Sequence, residues 1–149
     1  MYLRHAVIRD VKSPERGHYP DAGIDFFVPN DFEAIILKPN DSVTIPSGIK
    51  VEIPIGYMGL FLNKSGVASK KSLIMGAQVI DPYYSGEVHL DLHNVGHQEI
   101  EINPGDKITQ MVLVPISHCQ LTESDPDDLY SDYKTDKELR EEKGFGSTG

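Results

Sequence analysis

An all-β barrel or jelly roll is the architecture this chain encodes, on three observations. Ten prolines and thirteen glycines are scattered through its 149 residues at short intervals. Between them, apolar side chains recur at every second position, the period of half-buried strands. Long helical stripes are missing, and a series of short strands with turns between them closes into a barrel or jelly roll. With 39% hydrophobic residues the chain can bury the core of one domain and is too short for two ordinary ones.

From the N-terminus, Met1 to Asp10 carries Arg4, Arg9 and Asp10 and no long apolar run, so neither a signal peptide nor a membrane span is expected. In Asp21-Ala22-Gly23-Ile24-Asp25-Phe26 an acid stands beside a glycine, and Asp25 suits a turn as well as a ligand site. Ile49, Val51 and Ile53 alternate with Lys50 and Glu52 between Ser47-Gly48 and Pro54, a strand with one face inward. Val67 to Met75 is the best helix candidate, with Ser65 placed to cap its first turn and Ala68, Lys70, Lys71 and Leu73 of good propensity. Val88, Leu90 and Leu92 alternate with Glu87, His89, Asp91 and His93, a second one-sided strand bounded by Gly86 and Asn94. Asn103-Pro104-Gly105-Asp106 makes a turn, and Lys107 to Val114, almost all apolar or β-branched, reads as a strand covered on both faces. Thr135 and Glu138 have capping-box spacing for one more short helical turn.

Charge and cysteine content narrow the function. The formal net charge is −9, which disfavours attraction to a nucleic-acid backbone or an anionic membrane. From Gln120 to Gly149 there are nine Asp and Glu against four Lys and Arg, so that stretch reads as a solvated linker or an interaction segment. Cys119 is the only cysteine, which rules out an intrachain disulfide and a Cys-rich zinc site and fits an intracellular protein. The six histidines and the acids show no zinc-ligand spacing, so a metal here would be a hard cation held mostly by substrate oxygens.

Candidate chemistry sits where these elements end. Lys64-Ser65-Gly66 combines a cation, a hydroxyl and a glycine at a helix start, which suits a phosphate or an ordinary exposed cap. Asp81 follows Val79 and Ile80, apolar neighbours that would strip water from a carboxylate and suit it to act as a general base. It equally opens the Asp81-Pro82 turn. Tyr84 reads as a packing tyrosine. Gln110 shares a strand face with Ile108, Val112 and Val114, and its amide needs partners from the protein or from a ligand. The terminal Gly144-Phe145-Gly146-Ser147-Thr148-Gly149 offers backbone N–H groups and two hydroxyls to an anion, with Arg140 upstream, or forms a flexible terminus. Phe145 has no core of its own to join and is suited to close over a planar base.

In chain order these segments resemble the five motifs of the trimeric dUTPases, from Asp21 to Gly149. Ala22-Gly23-Ile24-Asp25 is similar to the first, Lys64-Ser65-Gly66-Val67-Ala68 to the second, and Gly76 to Gly86 to the third. Gly105 to Gln110 is similar to the fourth, and Arg140 with Gly144 to Gly149 to the fifth. The resemblance implies a jelly-roll subunit with one short helix, a homotrimer with sites shared between chains, and a C-terminal arm exchanged within it. Residues 1–119 would be the catalytic barrel and residues 120–149 the acidic linker and arm. The implied activity is Mg²⁺-dependent hydrolysis of dUTP to dUMP and pyrophosphate, in the cytoplasm or a host's cytoplasm. It would keep uracil out of DNA and supply dUMP for thymidylate synthesis. By position, Asp81 would activate water, Tyr84 would stack on the deoxyribose, and backbone groups from Gln78 through Val79 and Ile80, with His89 near, would read uracil. Lys64, Ser65, Gly66 and Gln110 would hold phosphate oxygens. Phe145 would cover the base, and Arg140, Gly146, Ser147 and Thr148 would grip the γ-phosphate. The ion would be held by the phosphates, with Asp25 its one protein contact, through water.

This sequence departs from the family pattern at Lys64, where Arg is usual, at Gln78, where Gly is usual, and at Glu141-Glu142-Lys143, which replaces a glycine-rich stretch. The dCTP deaminases share the fold, and Asp91, ten residues after Asp81, falls where they carry a catalytic Glu. They have Arg where this chain has Ser69 and a His-Arg pair where it has Gln78-Val79, so Asp91 is read as an outward strand residue. A dUTP sensor that regulates a protein partner is the alternative from another class.

Overall fold

A computed structural model describes residues 2–131. Two compact units divide it, Met1–Ser117 and the residues from His118 onward. The first holds every strand and the helix: β1 (Arg4–Val7), β2 (Ile24–Phe27), β3 (Ile35–Leu37), β4 (Ser42–Pro46), β5 (Ile49–Glu52), β6 (Tyr57–Asn63), α1 (Ser65–Lys71), β7 (Leu73–Met75), β8 (Val79–Ile80), β9 (His89–Asn94), β10 (Ile100–Ile102) and β11 (Lys107–Pro115). The turn expected at Thr135 lies outside the described residues.

The strands form four small antiparallel sheets, ordered β1-β5, β10-β3, β2-β11-β6-β8 and β4-β9-β7. Neighbours in space are rarely neighbours in sequence, as in a wound jelly roll rather than a meander. The fold is all-β with one short helix, as the spacing of apolar residues implied.

The one-sided strands obey their period. On β9, Leu90 and Leu92 are fully buried while Asp91 and His93 alternate half-buried between them. On β5, Ile49 and Val51 face in and Lys50 and Glu52 face out. β11 lies between β2 and β6, so both of its edges are paired, and Ile108, Thr109 and Met111 are buried on alternate faces. Phe26 and Phe61 meet edge-to-face at 4.9 Å in the middle of the core, each worth about 2–3 kcal/mol in buried area. Gly105 takes a positive φ of 77° in the turn before β11, a conformation that costs glycine little.

The helix differs from the expectation. It runs Ser65–Lys71, Lys64 rather than Ser65 stands at the cap, and no side-chain bond caps it. Ser72 enters the left-handed region at φ 51°, and Leu73–Met75 leaves the helix to pair with β9. Packing explains the early end. Leu73 and Met75 are buried with Ile74 between them facing outward, an alternation only a strand can satisfy. That burial outweighs local helix propensity.

Candidate active site

The candidate residues fall into two groups along β6, with Lys64 just past its last residue and Asp81 beside its start. One gathers around Asp25, which is buried on β2 with its side chain 6% exposed. Lys64 bonds to its Oδ1, and Lys107 Nζ stands 3.1 Å from Oδ2. Burial pushes the Asp25 carboxyl up, but the Lys64 and Lys107 hydrogen bonds and charges outweigh it and hold it below the ordinary carboxylate range. Two cations share one anion, which leaves a local excess of positive charge in an acidic protein. Gln110 lies opposite both Asp25 and Leu62 in the sheet. Its Nε2 donates to the Asn63 carbonyl at 3.0 Å, and its amide lies against Gly23, where a Cβ would stand 2.1 Å from Oε1. Ser65 and Gly66 are exposed, and a Cβ on Gly66 would meet nothing within 4 Å, so packing within the chain does not demand this glycine.

The second group is the segment from Gly76 to Gly86. Gln78 is half-buried, its carbonyl accepts from the Phe61 N–H at 2.8 Å, and its Nε2 reaches the Met75 carbonyl at 3.4 Å. Val79 and Ile80 pair with Leu60 and Gly59. Asp81 follows directly and is exposed, as is Val79, so the desolvation expected of its apolar neighbours is not supplied within one chain. The Asp81 carbonyl accepts from the Tyr84 N–H at 3.3 Å, with Pro82 and Tyr83 between them and Tyr83 at φ 67°. Asp81 therefore does open a turn, with its carboxylate on the surface. Tyr84 is half-exposed rather than packed in the core, and its hydroxyl donates to the Glu87 carbonyl at 2.8 Å. His89 is exposed and paired with Pro46.

Asp81 follows the Ile80–Gly59 pair, whereas Lys64 follows the far end of the same strand. Six steps of extended chain from Met58 to Lys64, at about 3.3 Å each, put roughly 20 Å between the backbones of Asp81 and Lys64, although the two groups meet in between, where Asn63 binds both Gln110 and the Met75 N–H. A triphosphate spans that distance only with the Lys64 and Asp81 side chains both extended toward the ligand. Arg140, Phe145, Gly146, Ser147 and Thr148 lie outside the described residues.

Several residues that fix the site escape sequence reasoning. Asp91 does lie on the polar side of β9, but it is a clamp rather than a bystander. Its carbonyl accepts from the Gly76 N–H at 2.8 Å, and Oδ2 accepts from the Ala77 N–H at 2.9 Å. The Thr44 hydroxyl donates to Oδ1 at 3.1 Å, and His93 Nε2 lies 3.2 Å from Oδ2. The Ala77 N–H first, with His93 and Thr44, holds this carboxyl below its ordinary range against the opposing effect of burial. A Cβ on Gly76 would stand 2.2 Å from Asp91 Oδ2, so the backbone must be bare there. Asn63 Oδ1 accepts from the Met75 N–H at 2.7 Å and ties the end of β6 to β7. Lys107 was visible in its motif, but only the fold sets it on Asp25. No group of three or more His, Cys, Asp or Glu that could hold a metal occurs among the described residues.

The family model for dUTPase matches residues 9–149. A deoxyuridine 5'-triphosphate nucleotidohydrolase of Mycobacterium sp. (strain JLS) is 35% identical over 144 residues, covering 95% of this chain and 90% of that protein. The nucleotidohydrolase of the same name from Candida albicans is 35% identical over 138 residues, covering 93% and 81%. Among solved structures, Staphylococcus bacteriophage 80alpha dUTPase with dUPNHPP superposes with a TM-score of 0.82 at 28% identity, covering 99% of this chain and 98% of that one. A mutant dUTPase from phage phi11 of S. aureus, in which a structural Mg(II) ion is coordinated, has a TM-score of 0.76 at 28% identity, with coverage of 83% and 97%.

Proposed function

This chain belongs to the dUTPase family, and from that premise we propose that it hydrolyses dUTP to dUMP and pyrophosphate at sites shared between the subunits of a homotrimer. The observation that carries the shared site is the separation of Asp81 from Lys64 along β6. Within one chain, Asp81 meets the α-phosphorus of a triphosphate held by Lys64 only if both side chains stretch toward each other along β6. A second copy resolves this by setting its Lys64 end beside the first copy's Asp81. Burial under that copy would also supply the desolvation that Asp81 lacks within one chain.

In this reading the segment from Gln78 to Ile80 presents backbone groups to uracil, with His89 alongside, and Tyr84 lies against the deoxyribose. Lys64, Ser65, Gly66 and Gln110 hold phosphate oxygens. The Asp81 carboxylate takes a proton from a water whose oxygen attacks the α-phosphorus. The bond from that phosphorus to its bridging oxygen breaks, and pyrophosphate leaves. Residues 120–149 act as a linker and arm, in which Phe145 covers the base and Arg140, Gly146, Ser147 and Thr148 hold the γ-phosphate.

The donors of the chain suit a Mg²⁺ ion held by the phosphates and water rather than by a protein cage, since both oxygens of Asp25 already face lysines. Asp25 is better placed as a counter-ion than as an ion contact. When bound, Mg²⁺ neutralises charge on the leaving pyrophosphate. A net charge of −9 disfavours a nucleic-acid backbone, while the paired lysines at Asp25 give a triphosphate a local cationic site, which supports dUTP, with sister subunits, as the partners. A cytoplasmic setting, a host's included, fits the lone exposed Cys119.

Pyrophosphate release assayed with dUTP, dTTP, dCTP and UTP tests the activity, and dUTP alone is expected to turn over well. Ammonia released from dCTP would assign the chain to the deaminases instead, and tight dUTP binding without turnover would make it a sensor. Asp81→Asn is expected to lose about 100-fold or more in kcat while still binding dUTP.

A further inference from the structure

Glu87 sits between the Tyr84 loop and β9, outside every residue given a role above. Its side chain is 16% exposed and is held by three donors. Arg9 grips both carboxylate oxygens, Nε to Oε1 at 2.8 Å and Nη2 to Oε2 at 3.2 Å. The Gly48 N–H adds a bond to Oε1 at 2.7 Å. Arg9, followed by the Gly48 N–H, keeps this carboxyl below its ordinary range despite opposing burial.

The clasp joins three segments that are distant in sequence. Gly48 lies in the turn between β4 and β5 with φ 74°, and a Cβ there would run into Arg9 and Val11. The Gly48 carbonyl accepts from the Ile8 N–H at 2.8 Å. The Ser47 N–H donates to the Val88 carbonyl at 3.0 Å, and the Val88 N–H to the Ile49 carbonyl at 2.9 Å. Glu87 is therefore fixed from both its side chain and its neighbour's backbone. What it holds in turn is Tyr84. The tyrosine hydroxyl donates to the Glu87 carbonyl at 2.8 Å, and its ring lies so close over Gly86 that a Cβ there would stand 2.6 Å from it.

We infer that the Arg9–Glu87 clasp is a positioning device for Tyr84, and that through it the enzyme sets its preference for deoxyribose over ribose. The inference rests on Tyr84 lying against the sugar, as proposed above. A ring pinned at its hydroxyl and under its face cannot retreat to admit an extra hydroxyl. A ring released from Glu87 can. Discrimination that depends on excluding one small group is sensitive to such play.

The test is the ratio of kcat/KM for dUTP to that for UTP, measured on the full-length enzyme. General destabilisation would lower both values together, so the ratio isolates positioning. Glu87→Ala and Arg9→Gln are each expected to reduce the preference roughly tenfold, with Arg9→Lys, which keeps the charge but loses the fork, between them and the parent. Tyr84→Phe, which keeps the ring and loses its anchor, should follow Glu87→Ala. If Glu87→Ala fails to fold, Arg9→Gln at a half-exposed position gives the reading alone. A reduced ratio in Tyr84→Phe with the parent's ratio in Arg9→Gln and Glu87→Ala would overturn the clasp and leave the role of Tyr84 standing. An unchanged ratio in both Tyr84→Phe and Tyr84→Ala would remove Tyr84 from sugar recognition, and the clasp with it.

Discussion

Asp25 shows how little one residue's identity says before its neighbours are known. In the sequence it is an acid beside a glycine; in the fold it is the common counter-ion of Lys64 and Lys107. A second cation on the same acid also changes the meaning of Lys64 where the family usually has Arg. When phosphate draws Lys64 away, Lys107 keeps the buried carboxylate paired, so the excess charge is available to the ligand. Asp25→Asn is expected to cost about 2–3 kcal/mol of stability at neutral pH, read by denaturant unfolding. Because the folded carboxyl is held below its ordinary value of 3.8, its contribution is present above that value and fades as pH falls further toward the folded value. The gap between parent and variant should therefore close below about pH 4, and a gap constant with pH would show that the charge is not what stabilises. Gln110 was legible as an amide needing partners, because its strand face was legible. Asp81 is exposed within one chain, because neighbours in sequence do not bury a carboxylate that the chain carries out on a turn.

Among the elements, α1 and β7 show local preference yielding to packing. The residues from Val67 to Met75 have good helix propensity, yet Leu73 and Met75 go to the core as a strand and Ser72 absorbs the change of direction at φ 51°. Ser72→Gly should stabilise by about 0.5–1 kcal/mol, measured by thermal or denaturant unfolding, since glycine takes that conformation without a Cβ penalty. The segment from Gly76 to Ile80 has only two residues of strand pairing, and Asp91 makes up the difference by receiving two successive N–H groups. Asp91→Asn is expected to lose about 1–2 kcal/mol of stability and to raise KM for dUTP more than it lowers kcat. Equal changes in the two constants would show that Asp91 does not hold the base-reading segment. The period-2 strands were readable in advance because burial on one face imposes the pattern directly. The clamp was not, since nothing in an alternating strand tells which outward residue finds a distant backbone to bind.

At the scale of the whole molecule, the separation of Asp81 from Lys64 along β6 would make assembly part of the chemistry in the proposed homotrimer. Co-assembly of Asp81→Asn with Lys64→Gln provides a direct check, since each variant alone should be slow. Random trimers of the two should recover about a quarter of parent activity, because a site then needs an intact Asp81 from one chain and an intact Lys64 from another. Activity no higher than the mean of the two variants would place the whole site in one chain. Removing Gly144 to Gly149 should lower turnover roughly a hundredfold while sedimentation stays that of the parent. The sequence by itself determined the all-β architecture, through apolar period and turn residues, and the family, through the order of five motifs, because both are written along the chain. Tertiary structure alone decided that Asp25 is shared between two lysines, that Asp91 clamps Gly76 and Ala77, and that Arg9 and Glu87 hold Tyr84. Each of those depends on which strands become neighbours, and long-range pairing is set by the burial of the whole core rather than by any segment's own composition.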